Sequence, residues 1–210
     1  MDPRYIQVLF FTTRGYAARV IKWYEGLFLK NVRYNHCSIA FHSSLLEPDN
    51  LSRACSVGPD EFIVFESTLS GPLNDGIYTT CKDVKLGVQF RPFLPMMDVL
   101  KRSDSYVCVS NLCLAVQPRV RKLLNSFIRL NWYRGYQTNL LELASIHVRR
   151  RRRRRRQRLW LSGRTCCSQF VTEFASFMLC GTVVVDPKTV SPNTVIGALG
   201  LGEPIFLWEV

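Results

Sequence analysis

"TCCSQFVTEFASFML", Thr165 to Leu179, is the stretch on which the fold turns. Phe170, Val171, Phe174 and Met178 recur at helical spacing, so a helix is expected here, beginning at the paired cysteines. A thiol at a helix start lies at the positive end of the helix dipole, which favours the thiolate. The first backbone N–H groups of a helix have no intrahelical acceptor and can hold an oxyanion. The same position equally suits a small residue packed near a core. A nucleophile therefore needs a base, and the base needs a group to orient it.

The search for a base is short, because the chain has three histidines, His36, His42 and His147. "NHCSIAFH" (Asn35 to His42) reads as a strand with a histidine near each end. In extended chain His36 and His42 lie about 20 Å apart at roughly 3.3 Å per residue, so they do not share a small site. His147 adjoins a run of arginines, where its protonated form is disfavoured. "EFIVFEST" (Glu61 to Thr68) is a further apolar strand, interrupted by Glu66. A carboxylate there is costly unless it is paired, which makes Glu66 the candidate to orient a strand histidine.

Elsewhere, strands are expected at Tyr5–Phe11, Asp83–Phe90, Tyr106–Val116, Thr182–Pro187 and Pro204–Val210. A helix is expected over Tyr16–Phe28, with Ala17, Val20, Ile21, Tyr24 and Leu27 at helical spacing. Another opens at Pro118, with Val120, Leu123, Leu124, Phe127 and Ile128 along one face. Short helices are expected at the end of Tyr133–Ile146 and over Ser191–Leu199, with Pro192 near the start of the latter, and a loop at Pro48–Asn50. The order is α+β rather than a regular βαβ alternation. With 210 residues, 47% of them hydrophobic, the chain is long and apolar enough for one domain with a true core.

The net charge of +12 suggests a polyanion partner until it is localised. Nine arginines, Arg149, Arg150, Arg151, Arg152, Arg153, Arg154, Arg155, Arg156 and Arg158, carry most of it, and the rest of the chain is only mildly basic. A run of this kind reads as a solvated loop, or as a contact for nucleic acid or anionic lipid. No stretch reads as a signal peptide or a transmembrane helix, so the eight cysteines are expected to stay reduced inside a cell. No CxxC pair occurs, so no metal and no cofactor is expected. Cys108 and Cys113, in an apolar run, read as core residues. Nothing in the sequence indicates an oligomeric state.

"NHCSIAF", "FIVFESTLSGP", "YRGYQTNLLEL", "TCCSQFVTEFA" and "SPNTVIGAL" together resemble the circularly permuted branch of the NlpC/P60 superfamily of papain-like proteins, which has YiiX-like bacterial and poxvirus members. The resemblance covers most of the chain and implies an antiparallel sheet packed against helices, with a late catalytic-cysteine helix. It implies a single domain over 1–210, with the arginine segment as an inserted loop at about 147–163. It gives His36 the base position, Glu66 the orienting position and Cys167, directly before Ser168, the nucleophile position, with Cys166 as the neighbouring alternative. Tyr136 and Ser168 fall near the implied cleft. The implied chemistry is a thiol hydrolase or acyltransferase working through a thioester on an acyl, amide or peptide substrate. The poxvirus members suggest a viral protein of the host nucleus or cytoplasm. The alternative from the residues alone is a non-catalytic protein that binds or packages nucleic acid through its arginines.

Overall fold

The structure, a computed structural model, describes residues 1–14, 16–54, 60–68, 87–102, 105–115, 117–132, 134–136, 164–180 and 185–207. The chain is α+β. In order it forms β1 (Tyr5–Thr12), α1 (Tyr16–Gly26), β2 (His36–His42), α2 (Pro48–Arg53), β3 (Phe62–Thr68), β4 (Gly87–Pro92), α3 (Phe93–Arg102), β5 (Tyr106–Ala115), α4 (Pro118–Asn131), β6 (Gly135–Tyr136), β7 (Arg164–Thr165), α5 (Cys167–Met178), α6 (Val195–Leu199) and β8 (Ile205–Phe206). The strands make one sheet in the order β7-β6-β4-β3-β2-β1-β5-β8, in which only the β6–β7 pairing is parallel.

β1 is apolar on both faces apart from the buried Gln7 and Thr12, because both faces of the sheet are covered there. Side chains alternate across a strand. Ile6, Val8 and Phe10 therefore join Phe65, Phe127, Phe170 and Phe174 in the larger core, while Leu9 and Phe11 join Val64, Met96 and Met97 in a smaller one beneath α3. α5 is the central helix, buried from Cys167 to Ser176 and packed between β2 and β3 on one side and α4 and α6 on the other. A helix so enclosed is apolar around most of its surface, as its sequence is.

Several expected elements come out differently. Pro48–Arg53 is a helix rather than a loop, with Pro48 in its first turn, where a missing N–H costs nothing. α3 was not anticipated, because Pro92 and Pro95 mask its periodicity, yet prolines are tolerated in a first turn. Val185 and Asp186 are not strand, and Pro187–Thr189 form a 3-10 turn; 182–184 lie outside the described residues. α6 begins at Val195, so Pro192 precedes it. The closing strand is described only at Ile205–Phe206, and the strand expected at Asp83 is described from Gly87. The helix expected near Ile146 falls outside the described residues. α1 forms as expected, but Val20 and Leu27 of its apolar set face outward, and Ala18 and Glu25 face inward.

One edge contact constrains the region upstream of α5. Gly87 has φ +139°, and a Cβ there would stand 2.1 Å from the Arg134 carbonyl oxygen, where β4 meets β6. Gly87→Ala is expected to lower the unfolding free energy by more than about 1 kcal/mol, measured by denaturant titration. Arg134 in turn donates from Nη1 to Asn131 Oδ1 and Glu173 Oε2, each at 2.6 Å, tying this edge to α5. β6 and β7 pair Gly135 with Arg164 and Tyr136 with Thr165. The two ends of the sequence span that contains the arginines are thus held on adjacent strands.

Candidate active site

The site forms where the N-terminus of α5 meets the first residues of β2. Cys166 is the N-cap, with extended backbone, and Cys167 is the first helical residue. Phe170 N–H donates to the Cys166 carbonyl at 2.9 Å, which closes the first turn. The N–H of Cys167 is among those without an intrahelical acceptor.

His36, Glu66 and Arg91 run diagonally across three strands on one face of the sheet. The pairings Ile39↔Phe65 and Glu66↔Gln89 put His36 two positions off Glu66 on β2, and Arg91 two positions off it on β4. Diagonal neighbours at this offset are within reach of long side chains. His36 Nε2 lies 2.6 Å from Glu66 Oε2, and Arg91 Nε lies 2.5 Å from Glu66 Oε1. Glu66 is 1% exposed, so its charge is stable only because two cationic partners face it. Burial raises its pKa, but Arg91 and then His36 outweigh that, and the net shift is downward.

With Nε2 engaged by Glu66, Nδ1 is the His36 nitrogen left for the sulfur of Cys167. His36 opens its strand and interacts with Cys167 as well as with Glu66 on its own face. Burial disfavours the His36 cation, yet the negative Cys167 and Glu66 together push its pKa up to about 10. Cys167 moves the opposite way. A hydrogen bond from the Cys37 thiol is the largest cause; burial opposes it, and the His36 charge and a hydrogen bond from Cys37 backbone complete the downward shift. Both directions favour a thiolate–imidazolium pair. Cys166 is distinguished from it clearly. Burial, and then the charge of Cys167, push its pKa up to about 12, and its sulfur lies 3.7 Å from Ser168 Oγ.

Cys37 is a member of the site that residue-by-residue reading did not single out. Burial raises its pKa well above the usual thiol range, and so does the hydrogen bond it gives to Cys167. It alternates with His36 along β2 and so points to the α5 side of the sheet. Cys37→Ala is expected to move the pH profile of Cys167 alkylation upward, measured as the rate of reaction with iodoacetamide between pH 5 and 9.

Arg91, Glu25 and Asn193 were likewise not anticipated. Glu25, on the inner face of α1, is buried; burial raises its pKa to about 7, hydrogen bonds from Asn193 and Ser191 pull against that, and the Cys167 charge adds to the rise. Asn193 Nδ2 donates to Glu25 Oε2 and, at 2.6 Å, to the Tyr34 carbonyl, and its Oδ1 accepts from Arg33 and Tyr34 N–H at 2.8 Å each. It thereby ties α1, the approach to β2 and the segment after α5 into one unit around the cysteine. No single-sequence signal marks these residues, since each acts across more than a hundred positions or across a sheet register.

Of the two residues expected near a cleft, Ser168 is buried and its Oγ donates to the Val190 carbonyl at 2.7 Å, which gives it an anchoring role. Tyr136 lies on β6, and its side chain is outside the described residues, as are Arg149–Arg156, Arg158 and His147. His42 caps the turn Ser43–Leu45 through Nδ1 and Ser44, away from Cys167. Cys108 is buried in the core as expected. Among the described residues no cluster of three or more His, Cys, Asp or Glu has a geometry for a metal ion, and no helix is long and apolar enough to cross a membrane. No protein-family model matches the chain, and no match was found among curated proteins or solved structures.

Proposed function

We propose that this chain is a cysteine hydrolase or acyltransferase with a circularly permuted papain-like fold. The observation that carries the reading is Cys167 at the start of a buried helix beside His36, whose ring is held by Glu66 with Arg91 behind it. The chain order, histidine on β2, glutamate on β3 and cysteine on the late helix α5, supports the permuted arrangement.

In this reading the Cys167 thiolate attacks the acyl carbon of an amide, peptide or ester. Its charge passes to the carbonyl oxygen, which the Cys167 N–H and the helix dipole hold. His36, already protonated, gives its proton to the departing amine or alkoxide as the tetrahedral adduct collapses to a thioester. His36, now neutral, takes a proton from water or another acceptor, which attacks the thioester and releases Cys167 as the thiolate. Glu66 keeps the imidazole orientation constant through both steps, and Arg91 keeps Glu66 ionised. Loss of one oxyanion donor typically costs about 2.7–4 kcal/mol of activation free energy, so the position of Cys167 at the helix start is as consequential as its sulfur. The decisive experiment is labelling by a thiol-directed acyl probe in wild type, Cys167→Ala and Cys166→Ala. Labelling lost only in Cys167→Ala supports the reading, and labelling lost only in Cys166→Ala overturns it. The polyanion-binding alternative predicts steep salt dependence of binding and full function in Cys167→Ala.

A further inference from the structure

α1 is turned the wrong way for a helix of a closed globular surface. Its inner face carries Ala18, the partly buried Ile21 and Lys22 and the carboxyl of Glu25, and its outer face presents Val20 and Trp23, with Leu27 exposed in the turn that follows. Trp23 is 67% exposed and Leu27 59%, and Phe28, also exposed beyond the helix, sets its ring tilted against Tyr24 at 5.3 Å. Between Thr13 and Tyr34 the chain carries Arg14, Arg19, Lys22, Lys30 and Arg33, and its one acid, Glu25, is buried. Arg33 is paired with the exposed Glu203 at 3.6 Å, but Arg19 and Lys30 flank an outward apolar ridge, and cations beside such a ridge are the pattern of a helix that lies in a membrane interface.

We propose that the outer face of α1, with Phe28, Arg19 and Lys30, rests on the surface of an anionic phospholipid bilayer. Val20, Trp23, Leu27 and Phe28 enter the boundary between headgroups and acyl chains, and the cations meet lipid phosphates and carboxylates. Two rival occupants fit less well. A nucleic acid satisfies the cations and can stack on Trp23, but it offers nothing apolar to Val20 and Leu27. A second copy docking across a twofold axis brings the same cations face to face. The inference stands whether or not Cys167 is a nucleophile. Where it is one, the bilayer lies one helix away from the site, about 10–12 Å, because Glu25 on the opposite face of α1 faces Cys167.

The test is co-sedimentation of the full chain with vesicles of phosphatidylcholine alone and of phosphatidylcholine with phosphatidylserine. Stronger binding to the mixed vesicles is expected. Trp23→Ser with Leu27→Ser is expected to weaken it at least about tenfold, since interfacial binding scales with buried apolar area. Arg19→Gln and Lys30→Gln are expected to weaken it about fivefold each. These residues lie at the surface, so unchanged circular dichroism accompanies the loss. Replacing Arg149–Arg156 by Ser and Gly separates the arginine run, and the Trp23-dependent part of binding must survive that replacement. Vesicle binding unchanged in the Trp23/Leu27 variant overturns the proposal. So does a Trp23-dependent dimer in sedimentation velocity without lipid, or Trp23-dependent binding of single-stranded RNA that fully displaces the vesicles.

Discussion

Cys167→Ala is expected to abolish acyl-probe labelling and to reduce any turnover by on the order of a thousandfold or more, as removal of a nucleophile does elsewhere. Cys166→Ala is expected to leave labelling in place. The two thiols are adjacent in sequence and both are buried, yet their environments push them in opposite directions. Cys167 receives a hydrogen bond from Cys37 and faces the His36 cation; Cys166 faces the negative charge of Cys167 without a cation to offset it. The same contrast sets a pH signature. The two shifts favour thiolate and imidazolium from the depressed pKa of Cys167 up to the His36 pKa of about 10. Alkylation of Cys167 is therefore expected to be nearly flat between pH 6 and 9, where an ordinary thiol of pKa about 8.5 accelerates steeply. His36→Ala removes the cation and is expected to restore the steep profile.

Glu66→Ala is expected to destabilise the fold by about 3–5 kcal/mol in denaturant titration, the range for breaking a buried ion pair by removing one partner. Arg91 is 5% exposed at its side chain, and Glu66 is the carboxylate at its Nε. The sign of the pH dependence follows from the direction of the shift. Glu66 has a lowered pKa in the folded state, so its contribution is present above the ordinary carboxylate range and is lost as pH falls through the folded-state value. The stability gap between wild type and Glu66→Gln is thus expected to be constant from pH 6 to 8 and to close in acid. A purely structural role for Glu66 moves stability alone. A role in holding His36 also shifts the alkylation profile of the folded fraction of Glu66→Gln, because the cation beside Cys167 loses its second anionic partner.

Much of the architecture was legible because it rests on local patterns. β1, β2, β3, α4 and α5 have long apolar runs or sustained helical spacing, and each forms within a few residues of its expected place. Elements interrupted by proline were not legible, since α2 and α3 hide their periodicity behind first-turn prolines. The face of α1 was not legible either. Spacing identifies a stripe, but whether the stripe turns inward depends on where α5 and the sheet already lie.

The residues of the site divide in the same way. His36, Glu66 and Cys167 could be selected from one sequence because each breaks a local expectation: a histidine opening an apolar strand, an acid inside one, and a thiol where a helix begins. Cys167 rather than Cys166 was indicated by its place directly before Ser168, but the meeting of the three side chains and the opposite environments of the two thiols needed the tertiary structure. Arg91 reaches Glu66 only through the register of β4 on β3, Cys37 reaches Cys167 only because β2 runs beneath the start of α5, and Asn193 closes on Tyr34 across most of the chain. Sequence spacing determines which face of an element a side chain occupies, but the charge that a buried group carries is decided by partners that long-range packing alone brings near.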